Sequence, residues 1–475
     1  MKENSAKTKI LATLGPQTST VDSIKALITS GVNAVRLNMS HGSYDFYSTI
    51  FDNIHTVRTE LNTPLAILAD LQGPKIRIGE LKKPEVEIHT GNEIEITTEE
   101  IKGDDKLIST SYKDLQKDAE VGDLILINDG LIRLRIKSKK KNSVVCDIEN
   151  GGVLSPRKGM NLPGMKLSTP SLTEKDIEDL EFLKDKPVDY IALSFVRKAD
   201  DIVQLKEKLD EKGKSIPVIA KIEKREAVDS FESILNAADG IMVARGDLGV
   251  ELSPAKVPVI QKDIIKRCNE DGKLVITATQ MLESMIHSPI PTRAEAADVA
   301  NAVWDGSDVV MLSGETSVGK HPVETVKMMH EIIINAEQHF IQNENIKFQV
   351  PEVLEENLFD SVLKGMTSVA EQINAKAIVV FTYKGRAARG LAKFRPLSKI
   401  IAISDSFETM NNLCLRWGVN SLFMNKIDKQ NAAINEAKEL ILDAGLVKKG
   451  ELVIFLSRAP ISESGRSDFL HFEVL

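Results

Sequence analysis

Eight short apolar runs, each followed by a stretch of helical period, most narrow what this 475-residue chain can fold into. They are KILATLG (9–15), NAVRLNMSH (33–41), LAILADLQG (65–73), DYIALSFV (189–196), PVIAKIE (217–223), GIMVARGD (240–247), LVITATQ (274–280) and DVVMLSGE (308–315). The runs are continuous rather than alternating, as expected of strands buried on both faces of a parallel sheet. Eight such strands with intervening helices predict an α/β fold, a closed (β/α)8 barrel of the TIM type. Residues 1–73 and 171–340 would carry it, roughly 240 in all and close to the ~250 typical of that fold.

Between the third and fourth runs the pattern changes. From Pro74 to Pro170 short alternating segments dominate, among them Val86-Glu87-Ile88, Ile94-Glu95-Ile96 and Ile132 to Ile136, with Asn128-Asp129-Gly130 as a turn. Residues 74–170 therefore read as an inserted, small all-β lid domain. An insertion after a barrel strand sits above the strand C-terminal ends, where it can close over them. Ala377–Thr382, Lys399–Ser404 and Glu451–Ser457 read as strands of a third unit, a C-terminal doubly wound α/β domain over 345–475. The loose stretch from Gln342 to Pro351 would join it to the barrel.

Composition removes several classes of function. Apolar residues make up 42% of the chain, which excludes wholesale disorder. The net charge of −8 argues against a nucleic-acid partner, which calls for a basic field. No apolar run approaches bilayer length, and the polar start MKENSAKTKI lacks the core of a signal peptide. Cys146, Cys268 and Cys414 lie far apart without a CxxC pair, as reduced thiols would. A cytoplasmic protein with no membrane partner is the expectation.

Polar residues unusual for strands gather at the C-terminal ends of the runs: Arg36, Asn38, Ser40 and His41, Asp70, Ser194, Lys221 and Glu223, Arg245 and Asp247, Thr279, Ser313 and Glu315. In a barrel these ends converge on one mouth, and the convergence is the signal rather than any one residue. Glu223 and Asp247, on adjacent strands, can offer two carboxylate oxygens to Mg²⁺, which takes few protein ligands besides water and substrate oxygens. Lys221 lies two residues before Glu223, so both point to one side of a strand. Gly246 and Gly249 permit close backbone approach, and a short helix after Asp247 would aim free N–H groups at an anion. Arg36 and Arg77 add guanidinium forks for phosphate oxygens. Such a clamp suits phosphoryl transfer or an enolate.

The chain resembles the pyruvate kinase family from about Lys7 to its C-terminus. The motifs that carry the resemblance are TKILATLGP (8–16), VRLNMSHG (35–42), DLQGPKIR (70–77), KGMNLPG (158–164), VIAKIEKREAV (218–228), IMVARGDLGVE (241–251), TATQMLESM (277–285), PTRAEAADVANAVWDG (291–306) and MLSGET (311–316). The resemblance implies transfer of a phosphoryl group from phosphoenolpyruvate to ADP, with Mg²⁺ or Mn²⁺ as cofactor, in a homotetramer. It implies that Lys221 stabilises the phosphoryl group in flight and the enolate left behind, and that Glu223 and Asp247 hold the divalent metal. Backbone groups at Gly246 and Asp247, with Thr279, would hold the substrate carboxylate. Arg36, Asn38, His41, Arg77 and Lys158 would position nucleotide phosphates, Arg36 also touching substrate. Thr279, with Ser313 and Glu315 behind it through water, would deliver the proton to the enolate. The Thr292/Glu295 capping box starts a helix read as a subunit-contact and barrel element.

One departure is informative. Many members hold K⁺ near Asn38, Ser40, Asp70 and the Leu71 carbonyl, and carry glutamate where this chain has Lys75. The chain is similar here to the K⁺-independent branch, and a fixed ammonium can replace the bound ion's charge. At about 5–6 Å and an effective dielectric near 20, one charge contributes about 3 kcal/mol. That is on the order of a hundredfold in rate. K⁺ is therefore predicted not to be required. In the C-terminal domain, Thr382, Lys384, Gly385 and Arg386 resemble the family's effector loop and imply a phosphorylated effector. Hydroxyls expected near Lys384 and Ala387 are missing, and the tail Ser462 to Ser467 departs from the fructose-bisphosphate pattern. Two other readings stay open at this point: a catalytically inactive regulatory paralogue, and a Mg²⁺-dependent lyase acting on a pyruvate enolate.

Overall fold

The computed structural model describes residues 6–342, 358–425, 429–457 and 469–475. Most of the expected linker (343–351) and the tail 462–467 lie outside the described residues. Eight strands, Lys9–Thr13, Ala34–Asn38, Ala66–Asp70, Tyr190–Leu193, Val218–Ile222, Gly240–Ala244, Leu274–Ala278 and Val309–Leu312, close into a ring. All pair in parallel, and the first is hydrogen-bonded to both the second and the eighth. Each lies inside one of the eight apolar runs.

The continuity of those runs has a direct structural cause. Leu11, Leu68, Met242, Ile276 and Met311 point into the barrel and pack on one another. Their neighbours Ile10, Ile67, Ile241, Val275 and Val310 point outward and pack on the surrounding helices. Both sides of every strand are dry, so no polar alternation survives until the strand ends.

The insertion after the third strand folds as a six-stranded sheet beside a two-stranded one. The predicted segments are strands Val86–Ile88, Glu93–Thr97 and Ile132–Lys139. Asn128, Asp129 and Gly130 all take positive φ, the left-handed backbone that the turn sequence favours. The C-terminal sheet runs Val419–Phe423, Lys399–Ser404, Ala377–Phe381, Leu452–Ser457, Phe469–Val474. Its first four strands are parallel and the last is antiparallel. Among the described residues, no helix is long and apolar enough to cross a membrane.

The C-terminal domain closes the floor of the barrel. Leu415 is fully buried and belongs to the barrel's interior cluster, with Leu11, Leu68 and Tyr190. Around it, Lys9 Nζ donates to the Val419 carbonyl at 2.8 Å, and Arg395 pairs with Asp308 at 2.8 Å. Deleting a fully buried leucine side chain costs about 2–5 kcal/mol. Leu415→Ala should therefore lower the thermal midpoint measured by calorimetry; an unchanged midpoint would show that the plug carries no stability.

Candidate active site

At the mouth, the strand ends place their polar residues as a connected cluster. Lys221 reaches three groups: Glu223 Oε1 at 2.8 Å, Asp70 Oδ1 at 3.3 Å and Ser194 Oγ at 2.7 Å. Arg36 Nε and Nη2 both reach Asp70 Oδ2 at 2.7 Å, and its Nη1 reaches Thr13 Oγ1 at 3.0 Å. Ser194 Oγ in turn donates a hydrogen bond to the Leu71 carbonyl at 2.8 Å. Asp70 and Glu223 are almost wholly buried.

The electrostatics follow from that crowding. For Lys221 burial works against the ammonium, but Asp70 and Glu223 outweigh it and its pKa is raised. Burial would raise Asp70, yet Lys221 and Arg36 hold it below the usual carboxylate range. Glu223 ends up raised, by burial and by repulsion from Asp247, against the pull of Lys221. Lys221 and Arg36 thus face three carboxylates, and Asp247 has no hydrogen-bond or ion-pair partner among the described residues. A divalent ion between Glu223 and Asp247 would relieve that repulsion, and two carboxylates with room for water and substrate oxygens suit Mg²⁺. The donor set fits the group.

The opposite lip of the mouth is built from strained backbone. Helix Arg245–Glu251 begins at Arg245, so Gly246 and Asp247 form its first turn; the expected helix after Asp247 starts two residues early. Gly246 N donates to Thr279 Oγ1 at 2.9 Å, and a Cβ at Gly246 would point toward that hydroxyl, 3.5 Å away. Thr279 and Gln280 have φ of 68° and 53°. A β-branched residue there costs about 1–3 kcal/mol and persists only when its surroundings enforce it. Arg245 does so. Its Nη2 binds the Thr279 carbonyl at 2.7 Å, and Asp298 anchors the guanidinium at 2.7 Å. Phe195, also left-handed at φ 56°, donates its N–H to Glu223 Oε2 at 2.9 Å.

The remaining candidates spread along the cleft below the lid. Tyr47 OH donates to the carbonyls of Asn38 and His41, and Ser40 N binds Asn38 Oδ1 at 3.2 Å. Burial lowers the His41 pKa, aided by the charges of Lys75, Arg77 and Arg36. Arg77 pairs with Gly159, and Ile78 N binds the Lys158 carbonyl at 2.9 Å, so the backbones of Arg77 and Lys158 lie side by side. Burial lowers Lys75 too, with Arg77 and Lys221 adding to it and Asp247 opposing. Asp70 itself is paired with Lys221 and Arg36. A cavity of about 1140 Å³ opens between Leu126, Asp129 and Pro163 of the lid and Gly246, Asp247 and Thr279 of the barrel. Glu315 lies deeper, fully buried, accepting the N–H of Ser313 at 2.7 Å and of Leu282 at 3.2 Å.

Comparison with known proteins decides what this mouth belongs to. A family model for the pyruvate kinase barrel domain matches residues 5–326, and one for the pyruvate kinase alpha/beta domain matches 360–472. The chain belongs to the pyruvate kinase family. A pyruvate kinase of Staphylococcus aureus (strain MRSA252) is 42% identical over 471 residues, 99% of this chain and 80% of the relative. Its counterpart in strain USA300 is 41% identical over the same length. A crystal structure of a pyruvate kinase from Cryptosporidium parvum superposes with a TM-score of 0.91 at 36% identity, covering 99% of this chain and 96% of the other. The chain is accordingly a phosphotransferase of glycolysis, acting on phosphoenolpyruvate and ADP. Neither the inactive paralogue nor the lyase is favoured.

Sequence reasoning left three contributors without a role: Arg245 and Asp298, which pin the Thr279 turn, and Phe195, which holds Glu223. Arg245 stood in a motif, but its partners lie on other strands and on helix Arg293–Trp304. Arg245→Lys keeps the charge and loses the fork. It should lower kcat/KM for phosphoenolpyruvate on the order of a hundredfold through displacement of Thr279. Steady-state kinetics on variant protein with wild-type circular dichroism checks this; unchanged kinetics would remove the pinning role.

Proposed function

We propose that Lys221 Nζ is the group that steadies charge as the phosphoryl group leaves. The enol C–O oxygen gives up its bond to phosphorus, a β-phosphate oxygen of ADP forms the new one, and an enolate remains that takes a proton at carbon three. An ammonium whose pKa is raised stays charged throughout the neutral range, so it can face the enolate oxygen in every turnover. Glu223 and Asp247 would hold Mg²⁺ or Mn²⁺, which when bound supplies Lewis-acid charge to the substrate oxygens.

Other groups take roles that fit their positions. The Gly246 and Asp247 amides and the Thr279 hydroxyl receive the substrate carboxylate, in the short helix turn that Arg245 braces. Arg36 spans substrate and nucleotide sides; Asn38, His41, Arg77 and Lys158 line the route for the nucleotide phosphates. The proton for carbon three arrives from the Thr279 side, with Glu315 fixing the Ser313 backbone behind it. Lys75, whose charge acts on the neighbourhood of Asp247 and Lys221, replaces a monovalent cation at the site of Asn38, Ser40, Asp70 and Leu71.

Beyond the mouth, a cytoplasmic homotetramer fits the exposed apolar residues Leu358, Val362 and Val369 on helix Leu358–Gln372, with Ile373 just past its end. A phosphorylated effector fits the turn Thr382, Lys384, Gly385 and Arg386, where Gly385 is left-handed at φ 73° and opens a helix.

The observation that carries the reading is the Lys221 ammonium set between Asp70, Glu223 and Ser194. Lys221→Met should lower kcat by about 10²–10³-fold or more, with the fold intact. Activity within a few-fold of wild type in a coupled ADP assay would refute the assignment. The same assay in tetramethylammonium buffer should run at full rate without KCl; strong activation by KCl would refute the role of Lys75.

A further inference from the structure

Helix Arg245–Glu251 carries Asp247 on its first turn and has little of its own to hold it in place. It is 7 residues long, contains Gly246 and Gly249, and its cap residue Ala244 makes no side-chain hydrogen bond. Isolated helices shorter than about 12–15 residues are marginal, and glycine inside one weakens it further. The position of this helix must therefore come from contacts at its two ends. Arg245 supplies one, through Asp298 and the Thr279 carbonyl. The other is at Glu251, the last residue of the helix, whose Oε1 accepts a hydrogen bond from Lys224 Nζ.

Lys224 directly follows Glu223 in the chain, but among the described residues its only ion pair is with Glu251. Both side chains are almost wholly buried, and Lys224 is the only side-chain partner of Glu251 among the described residues. The second oxygen, Glu251 Oε2, is buried without a partner. Lys224 Nζ also lies over the Phe195 ring, 5.7 Å from its centroid, and Phe195 N–H holds Glu223 Oε2 at 2.9 Å. The charges of Glu226 and Glu223 act on Glu251 as well, so without the ammonium the helix end and the strand end would repel one another.

We propose that Lys224 and Glu251 are positioning residues that fix the separation of the Glu223 and Asp247 carboxylates, so that both can hold one divalent ion. The inference rests on the reading of Glu223 and Asp247 as metal ligands. Replacing a buried ion pair with apolar residues of similar volume often leaves stability unchanged or improved, so stability is not what such a pair chiefly provides. What it provides is direction. It joins residue 224, beside one carboxylate, to residue 251, one helical turn beyond the other.

Binding of Mn²⁺ alone to the full chain, followed by electron paramagnetic resonance of the free ion, tests this without turnover. Charge acting through space and positioning predict different signs. If the pair acted only by its charges, Lys224→Met would tighten Mn²⁺ binding by removing a nearby cation, and Glu251→Gln would weaken it. Positioning predicts that both weaken it, on the order of tenfold. The double variant Lys224→Met/Glu251→Leu leaves the net charge unchanged and fills the space with apolar side chains, so it keeps the fold even where a single variant does not. It too should bind Mn²⁺ on the order of tenfold more weakly, with wild-type circular dichroism. Opposite signs in the two single variants, or wild-type affinity in the double variant, would overturn the proposal. Glu223→Gln and Asp247→Asn are the controls and should lose most of the binding. Wild-type affinity in those controls would overturn the metal reading and the brace with it, whereas wild-type affinity in the Lys224 and Glu251 variants alone overturns only the brace.

Discussion

A buried ammonium between two buried carboxylates sets the terms for the whole mouth. Removing charges from water costs several kcal/mol per ion, and only close partners offset it. Lys221 meets that condition through Asp70, Glu223 and Ser194, while Arg36 takes the second oxygen of Asp70. No single strand can supply such a set. It needs the ends of strands two to five held side by side, which is what a closed parallel ring provides. Asp247 stands at the edge of this set: it has no hydrogen-bond or ion-pair partner among the described residues, and the charge of Lys75 acts on it. A divalent ion beside Glu223 and Asp247 would add positive charge there and make the mouth more attractive to an anion.

Strain gathers on the opposite lip. Thr279, Gln280 and Phe195 all hold left-handed backbone, and each is fixed by a hydrogen bond from a neighbouring strand or helix. The stiffness of the barrel is what makes such conformations affordable, since its strands are buried on both faces and its floor is plugged by Leu415. The stable end of the barrel thus supports the strained one, and the lid needs only to meet it.

Much of this was legible in the sequence because it follows from local pattern. Runs buried on both faces gave the barrel strands. The alternation Ile132 to Ile136 and the turn at Asn128 gave the lid, and the Thr292/Glu295 box, with Glu295 N on Thr292 Oγ1 at 3.2 Å, gave a helix start. What local pattern does not carry was missed. Val419–Phe423 reads weakly because it borders the sheet, and Phe469–Val474 alternates half-buried and exposed as an antiparallel edge. The partners of Arg245 are some thirty to fifty residues away in sequence. Their pairing is a product of closure, and so is the upward shift of the Glu223 pKa. Neither can be read from spacing alone.

The most direct measurement of the central claim is a crystal structure with Mn²⁺ and phosphoenolpyruvate, the ion located by its anomalous signal. The account requires the peak between the Glu223 and Asp247 carboxylates, with Lys221 Nζ on a phosphoryl oxygen and the substrate carboxylate at the Gly246 and Asp247 amides. A peak elsewhere, or an ammonium still locked on Asp70 and Glu223 away from the ligand, would contradict it.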